Sequence, residues 1–121
     1  MNKIKVEIAS TPRDHQKGLM FRKAMDYDSG MLFKFKHPQK LRFWGVNTFI
    51  PLDIAFVTPT NTIDKICHIV PMSKKIVSSD GYCDKAVEVN ANYFVENNIR
   101  VGDSINIDYD EAFVTFKKNE G

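Results

Sequence analysis

The residues best suited to chemistry lie in one block, Phe43-Trp44-Gly45-Val46-Asn47-Thr48-Phe49-Ile50-Pro51-Leu52-Asp53. It sets a carboxamide, a hydroxyl and a carboxylate among large apolar side chains, next to the single Trp of the chain. Apolar walls with a few convergent polar groups are what a small-ligand pocket needs. Trp44 can stack on a ligand ring or serve as a piece of core. Asn47 and Thr48 can orient a ligand or satisfy backbone groups at a bend. Asp53 precedes the apolar run Ile54-Ala55-Phe56, and a carboxylate there must be solvated, hydrogen-bonded or paired. It serves either as a ligand contact and general base or as a turn-stabilising group. Arg22 is its expected partner in the structural case, because a guanidinium holds a half-buried carboxylate through two hydrogen bonds. Glu88 alternates with Val87 and Val89 and points away from their face. It is solvated if that face is the core; if the interior is a polar pocket, it joins Asp53 as a carboxylate pair for acid–base work.

A second signal is Lys34-Phe35-Lys36-His37-Pro38-Gln39-Lys40-Leu41-Arg42-Phe43-Trp44, where basic and aromatic residues interleave along an expected hairpin. Single-stranded nucleic-acid binders combine charge for phosphates with rings for bases. The same alternation belongs to any half-buried strand whose rings point in and whose lysines face water. Lys34, Lys36, Lys40 and Arg42 therefore define a polyanion alternative, with weak, salt-sensitive binding at most. Cys67-His68 with Cys83 matches no established zinc spacing and lacks a fourth ligand, so no metal and no cofactor is expected. His15, His37 and His68 lie far apart in sequence and read as surface or cap residues. No nucleophile motif and no glycine-rich phosphate loop is present, the six glycines being scattered.

These groups must be held by a small scaffold. With 121 residues the chain is one domain, residues 1–121, long enough to bury a core without disulfides. Its composition, 43% hydrophobic and 26% charged, is that of a globular protein, and nine Phe favour strands. No apolar run approaches the ~18 residues of a membrane span, and the alternating start Lys3–Glu7 is not a signal peptide, so a soluble, cytoplasmic protein is expected. In that compartment the two cysteines are expected as free thiols. The net charge of +2 conceals ten Lys/Arg against four Asp/Glu in residues 1–42, and seven against eleven in the rest.

Period-two patterning predicts strands near 3–9, 30–36, 41–45, 54–58, 62–70, 85–90, 104–109 and 112–117. Thr11-Pro12-Arg13-Asp14 predicts a capped helix over 12–22, and asparagines at both ends predict a second over 92–98. Residues 71–84 read as a long irregular loop, with Tyr82 or a neighbour placed to cover the pocket. Many short strands and two short helices argue for a mainly β fold, a compact antiparallel barrel or sandwich.

With these blocks placed, the chain resembles the domain of unknown function 192 family, also called uncharacterised protein family 0127. The residues that carry the resemblance are Gly18-Leu19-Met20-Phe21-Arg22 after the Thr11 helix start, then Gly30-Met31-Leu32-Phe33. The strongest match is Phe43-Trp44, Asn47-Thr48 and Ile50-Pro51-Leu52-Asp53, with weaker echoes at Pro71, Val87-Glu88 and Gly102-Asp103. The resemblance implies a jelly-roll-like β domain and supplies no activity, cofactor or catalytic residues. The family reads Met-Lys where this chain has Gly45-Val46, so a lysine of the expected site is missing. Gly45 is expected to leave space in the pocket. The leading functional expectation is a small domain that binds an unidentified small molecule around Trp44, Asn47, Thr48, Asp53 and Glu88. The alternatives are a small enzyme using Asp53 and Glu88, and the weak polyanion binder.

Overall fold

The computed structural model describes residues 2–120. Among them the chain forms nine strands and two short helices: β1 (Asn2–Ala9), α1 (Pro12–Lys17), β2 (Ser29–Gln39), β3 (Arg42–Phe43), β4 (Leu52–Val57), β5 (Ile63–Ile69), β6 (Val77–Ser78), β7 (Cys83–Asn90), α2 (Tyr93–Glu96), β8 (Ser104–Asp108) and β9 (Phe113–Lys117). Seven strands make one sheet in the order β5-β4-β7-β2-β1-β9-β8, and β3 pairs with β6 in a small second sheet. Every pairing is antiparallel except β1 with β2, whose parallel register requires the crossover through α1.

The two ends of the large sheet approach each other. A bridge joins Thr62 to Ser104, and backbone bonds run from Ile63 to Asp103 (2.8 Å) and from Ile105 to Asn61 (2.9 Å). The sheet thus curls into a half-barrel. Its interior is one apolar cluster, with Ile4 and Val6 of β1, Leu32 of β2, Ala55 of β4 and Val87 and Val89 of β7. Tyr93 and Phe94 of α2 pack into the same cluster. The opposite face of the sheet is buried too. Met31 and Phe33 of β2, Ile54 and Phe56 of β4, and Ala86 of β7 pack there with Leu19, Leu41 and Ile50 from the covering segments. A sheet covered on both faces has no solvated row for Glu88, and that decides its environment.

Several elements differ from the sequence expectation. The helix expected over 12–22 stops at Lys17, although Thr11 caps it as expected by accepting from the Asp14 N–H at 3.1 Å. Gly18 ends it with φ +48°, which brings its backbone against the Phe33 ring and sends Leu19 into the core. The hairpin expected over 34–44 does not form. Strand β2 continues through His37 and Pro38 to Gln39, with its register against β7 shifting between Lys34 and Gln39. Arg42–Phe43 pairs instead with β6, a strand inside the segment read as loop. The second helix is one turn, and its N-cap Asn92 has a left-handed backbone with no side-chain cap.

Candidate functional site

The cavity beneath α1 holds the strongest concentration of chemistry. It measures about 170 Å³ and lies between α1 with its Gly18-Leu19-Met20 continuation, β3, the 44–48 bend and β7. Apolar walls come from Leu19, Phe33 and Phe43. Phe43 packs edge-on against Phe33, with ring centroids 4.8 Å apart, so β3 is anchored on the outer core by this ring. Trp44 stands at the mouth and remains 46% exposed. Thr48 is buried and donates its hydroxyl to the Val46 carbonyl at 3.3 Å, which leaves its oxygen lone pairs for an incoming donor.

Glu88 lies at the buried end. It is 4% exposed, and its cross-strand neighbours are Met31 on β2 and Ile54 on β4, both apolar. Among the described residues no side chain or backbone group hydrogen-bonds or ion-pairs with its carboxyl. Among the described residues no fully enclosed side-chain oxygen or nitrogen lacks a partner, so the unpartnered carboxyl opens into the cavity it lines. Burial in apolar surroundings pushes it up to about 8, so much of it is a neutral acid at pH 7. His15, Lys17 and Arg42 bring basic side chains to the same cavity. The His15 Nε2–H donates toward Ala9 O (3.0 Å) and Lys34 O (2.8 Å), and its ring lies 4.1 Å from that of Phe35. These contacts tie α1 to β1 and β2.

The structure therefore brings Trp44, Thr48 and Glu88 to one concavity and excludes Asp53 from it. Asp53 registers with Val89, whereas Glu88 registers with the next residue, Ile54. Successive residues of a strand face opposite sides, so the two carboxylates lie on opposite faces of the sheet and form no acid–base pair. Asp53 instead accepts from the His68 Nδ1–H and from the Asn92 N–H, each at 2.9 Å. It thereby holds the N–H of Asn92, the residue that precedes α2, without replacing the side-chain cap that α2 lacks. Asn47 lies on the outer side of Trp44, in a shallow surface with Met20, Phe21 and Val46. Its φ of +58° forms the bend closed by the bond from Thr48 N to Gly45 O.

Arg22 does not reach Asp53 or Glu88. With the helix ended early, it lies in a turn beside β1 and makes a two-bond fork with Glu7, the second bond at 2.8 Å. Gly45 leaves no space in the pocket either. A Cβ there would lie 1.9 Å from the Val70 carbonyl oxygen, so the glycine permits two backbones to meet. Tyr82 stays exposed, and Ile76 is the residue of that segment that stands beside Trp44. Lys34, Lys36, Lys40 and Arg42 are all exposed, but Phe35 and Phe43 turn inward, and Lys34 lies over the Tyr109 ring at 4.7 Å. Cys67 and Cys83 are free thiols; Cys67 and His68, adjacent on β5, serve opposite faces. His15 and Lys17 were not legible as site residues, because only the packing of α1 on β2 brings them to the cavity that Glu88 lines.

A curled β half-barrel whose outer face is roofed by a short helix and a two-strand ribbon defines the architectural class. The chain belongs to the DUF192 family (Uncharacterized ACR), whose model matches residues 1–107. It is similar to a Sinorhizobium meliloti protein described as a candidate transcription regulator, with 34% identity over 84% of this chain and 79% of that one and a TM-score of 0.82. It is also similar to a protein of unknown function from Novosphingobium aromaticivorans, with 32% identity over 84% of this chain and 73% of that one and a TM-score of 0.81. No curated protein matches the chain. Among the described residues no helix is long and apolar enough to cross a membrane.

Proposed function

We propose that this domain binds a small molecule in the cavity beneath α1, between Trp44, Thr48 and Glu88. The observation that carries the reading is Glu88, a carboxyl buried among apolar side chains and open only toward the cavity. A partnerless buried acid weakens a fold, and a ligand that meets it recovers the lost hydrogen bonds. The volume suits a small metabolite, being below the usual range for drug-sized ligands. Trp44, as the single Trp at the mouth, is the reporter. A metabolite library screened by thermal shift should yield compounds that also change Trp44 fluorescence. Those compounds should lose their effect in Glu88→Leu and keep it in Asp53→Asn. Hits that act equally on wild type and Glu88→Leu would move the site elsewhere.

A second reading takes the exposed Lys34, Lys36, Lys40 and Arg42 as a polyanion surface. It is supported by the regulator description of the Sinorhizobium meliloti protein. Inward-facing Phe35 and Phe43 leave Trp44 as the one exposed ring of the stretch, so it has charge with little area for base stacking. Four phosphate contacts to a single strand give a slope of about −3 for log affinity against log salt. Fluorescence anisotropy with a labelled single-stranded DNA should show this shallow dependence, abolished when all four are replaced. Binding that survives their replacement would refute this surface.

A further inference from the structure

We infer that the ligand of the Glu88 cavity is a small amine–carboxylate zwitterion with an apolar body, such as an aliphatic α-amino acid. Its ammonium would meet Glu88 and its carboxylate the basic rim. The inference rests on the pocket reading above and adds the chemical class of the occupant. Three observations point the same way. The inner polar group is a carboxyl with no counter-charge, held between Met31 and Ile54. A cationic nitrogen is the partner that turns such a group into a charge-assisted hydrogen bond. The lining also includes the exposed Lys17 and Arg42, whose positive charge on this side of the molecule, shared in the case of Lys17 with Glu7, repels a bare amine and attracts an anion. The walls between the two ends are Leu19, Phe33, Phe43 and Trp44, which take an apolar body and favour a cation beside their ring faces. A simple amine satisfies the floor but not the rim, and a simple acid satisfies the rim but not the floor. A zwitterion satisfies both.

The geometry also predicts a proton signature. The titratable or charged residues that line the cavity with Glu88 are His15 and Lys17 of α1 and Arg42 of β3, none of them close enough to offset the effect of burial on its carboxyl; β2 and β4 present Met31 and Ile54, which do not titrate. With its carboxyl pushed up to about 8 by burial, free Glu88 is mostly protonated at pH 7. An ammonium binds the ionised form, so binding at pH 7 should release close to one proton. Affinity should rise about tenfold per pH unit toward pH 8 and then level. A ligand that accepts a hydrogen bond from the neutral acid would show the opposite slope.

The test uses three chain-matched probes: L-leucine, 3-methylbutylamine, which lacks the carboxylate, and 4-methylpentanoate, which lacks the ammonium. Each is titrated into wild type and Glu88→Gln by Trp44 fluorescence, and by calorimetry in two buffers of different ionisation enthalpy. L-Leucine should bind at least tenfold more tightly than either singly charged probe and release nearly one proton at pH 7. Glu88→Gln should weaken L-leucine at least tenfold and remove both the proton release and the pH slope. Any contribution from His15 persists in that variant and cancels in the comparison. Glu88→Gln conserves shape, and a melting temperature at or above that of wild type at pH 8 confirms that it folds. If 4-methylpentanoate binds best, with no proton release and no response to Glu88→Gln, the ammonium assignment falls and the pocket reading stands. If none of the probes, and no member of the metabolite library, perturbs Trp44, both fall.

Discussion

Glu88 and Asp53 show how one strand position separates two carboxylates. Glu88 is a neutral acid through most of the physiological range, and its ionisation is linked to stability. A carboxyl raised from its ordinary 4.5 to about 8 in the folded state leaves the fold unpenalised below pH 4.5. Stability then falls as pH rises through 8, because the unfolded chain ionises Glu88 freely and the folded one does not. The full change is on the order of 5 kcal/mol. Urea denaturation of wild type should therefore show this loss between pH 5 and 9, while Glu88→Gln loses less and becomes the more stable protein at pH 9. Equal pH profiles for the two would place the carboxyl in water. Asp53 has a different task. Asp53→Ala should remove the bonds to Asn92 and His68, cost about 1–2 kcal/mol, and leave ligand binding beneath α1 unchanged. A binding defect in a variant that remains folded would return Asp53 to the site. The thiols follow burial in the same way. Cys83 is enclosed and pushed up to about 11, chiefly by burial, so a thiol reagent should modify Cys67 in the native protein and Cys83 only on unfolding.

At the scale of elements, close approach of backbone decides where the chain turns. Gly45 N donates to Ser73 O at 3.1 Å, and the Val70 carbonyl occupies the place of a side chain at residue 45. This contact holds the 44–48 bend on the 70–73 segment and sets Trp44 at the mouth of the cavity. Gly45→Ala should cost about 2–3 kcal/mol by forcing the two backbones apart. It should also shift the emission of Trp44, whereas an alanine accepted without either change would show that the backbones are not in contact. Cap chemistry made the start of α1 legible in Thr11 and Pro12, but not its end. Gly18 inside a helical pattern reads as a tolerable defect, and only its contact with Phe33 shows that it is the stop. The same limit applies to β3 and β6. Two residues each carry no period, so only their mutual pairing defines them.

For the whole molecule, closure of the curled sheet depends on a turn that the sequence marks only as Gly102-Asp103. Asp103 is 3% exposed and accepts from Arg100 N (2.9 Å), Asn119 N (2.8 Å) and Lys118 Nζ (2.6 Å). Burial pulls its carboxyl upward, but Lys118 and the two backbone donors together hold it below the usual aspartate value. Its stabilisation is therefore present above the ordinary aspartate range and is lost as pH falls through the lowered value. Asp103→Asn should cost about 2 kcal/mol at pH 7, with the difference from wild type shrinking in acid; an undiminished difference at pH 2 would point to shape rather than charge. Amide exchange near Ile63 and Ile105 should quicken in this variant, since their bonds join the two ends of the sheet.

Local patterning by itself determined the class of this protein. Alternation in Lys3–Ala9, Ile105–Tyr109 and Phe113–Lys117 places strands because a pleat repeats every two residues, whatever lies across from it. The block around Trp44 and Asn47-Thr48 marked a bend for the same local reason, and its resemblance to the family carried the rest of the fold. What the sequence could not contain is which face of the sheet meets which cover. The alternation put Glu88 opposite Val87 and Val89, but solvent or cavity on its side was decided by α1 and β3, which lie about seventy and forty-five residues away in the chain. Asp53 and Glu88 read as one pair until the register of β4 against β7 placed them on opposite faces. Register and layer order arise from long-range contacts, and those alone turned an ordinary strand glutamate into the buried floor of a cavity.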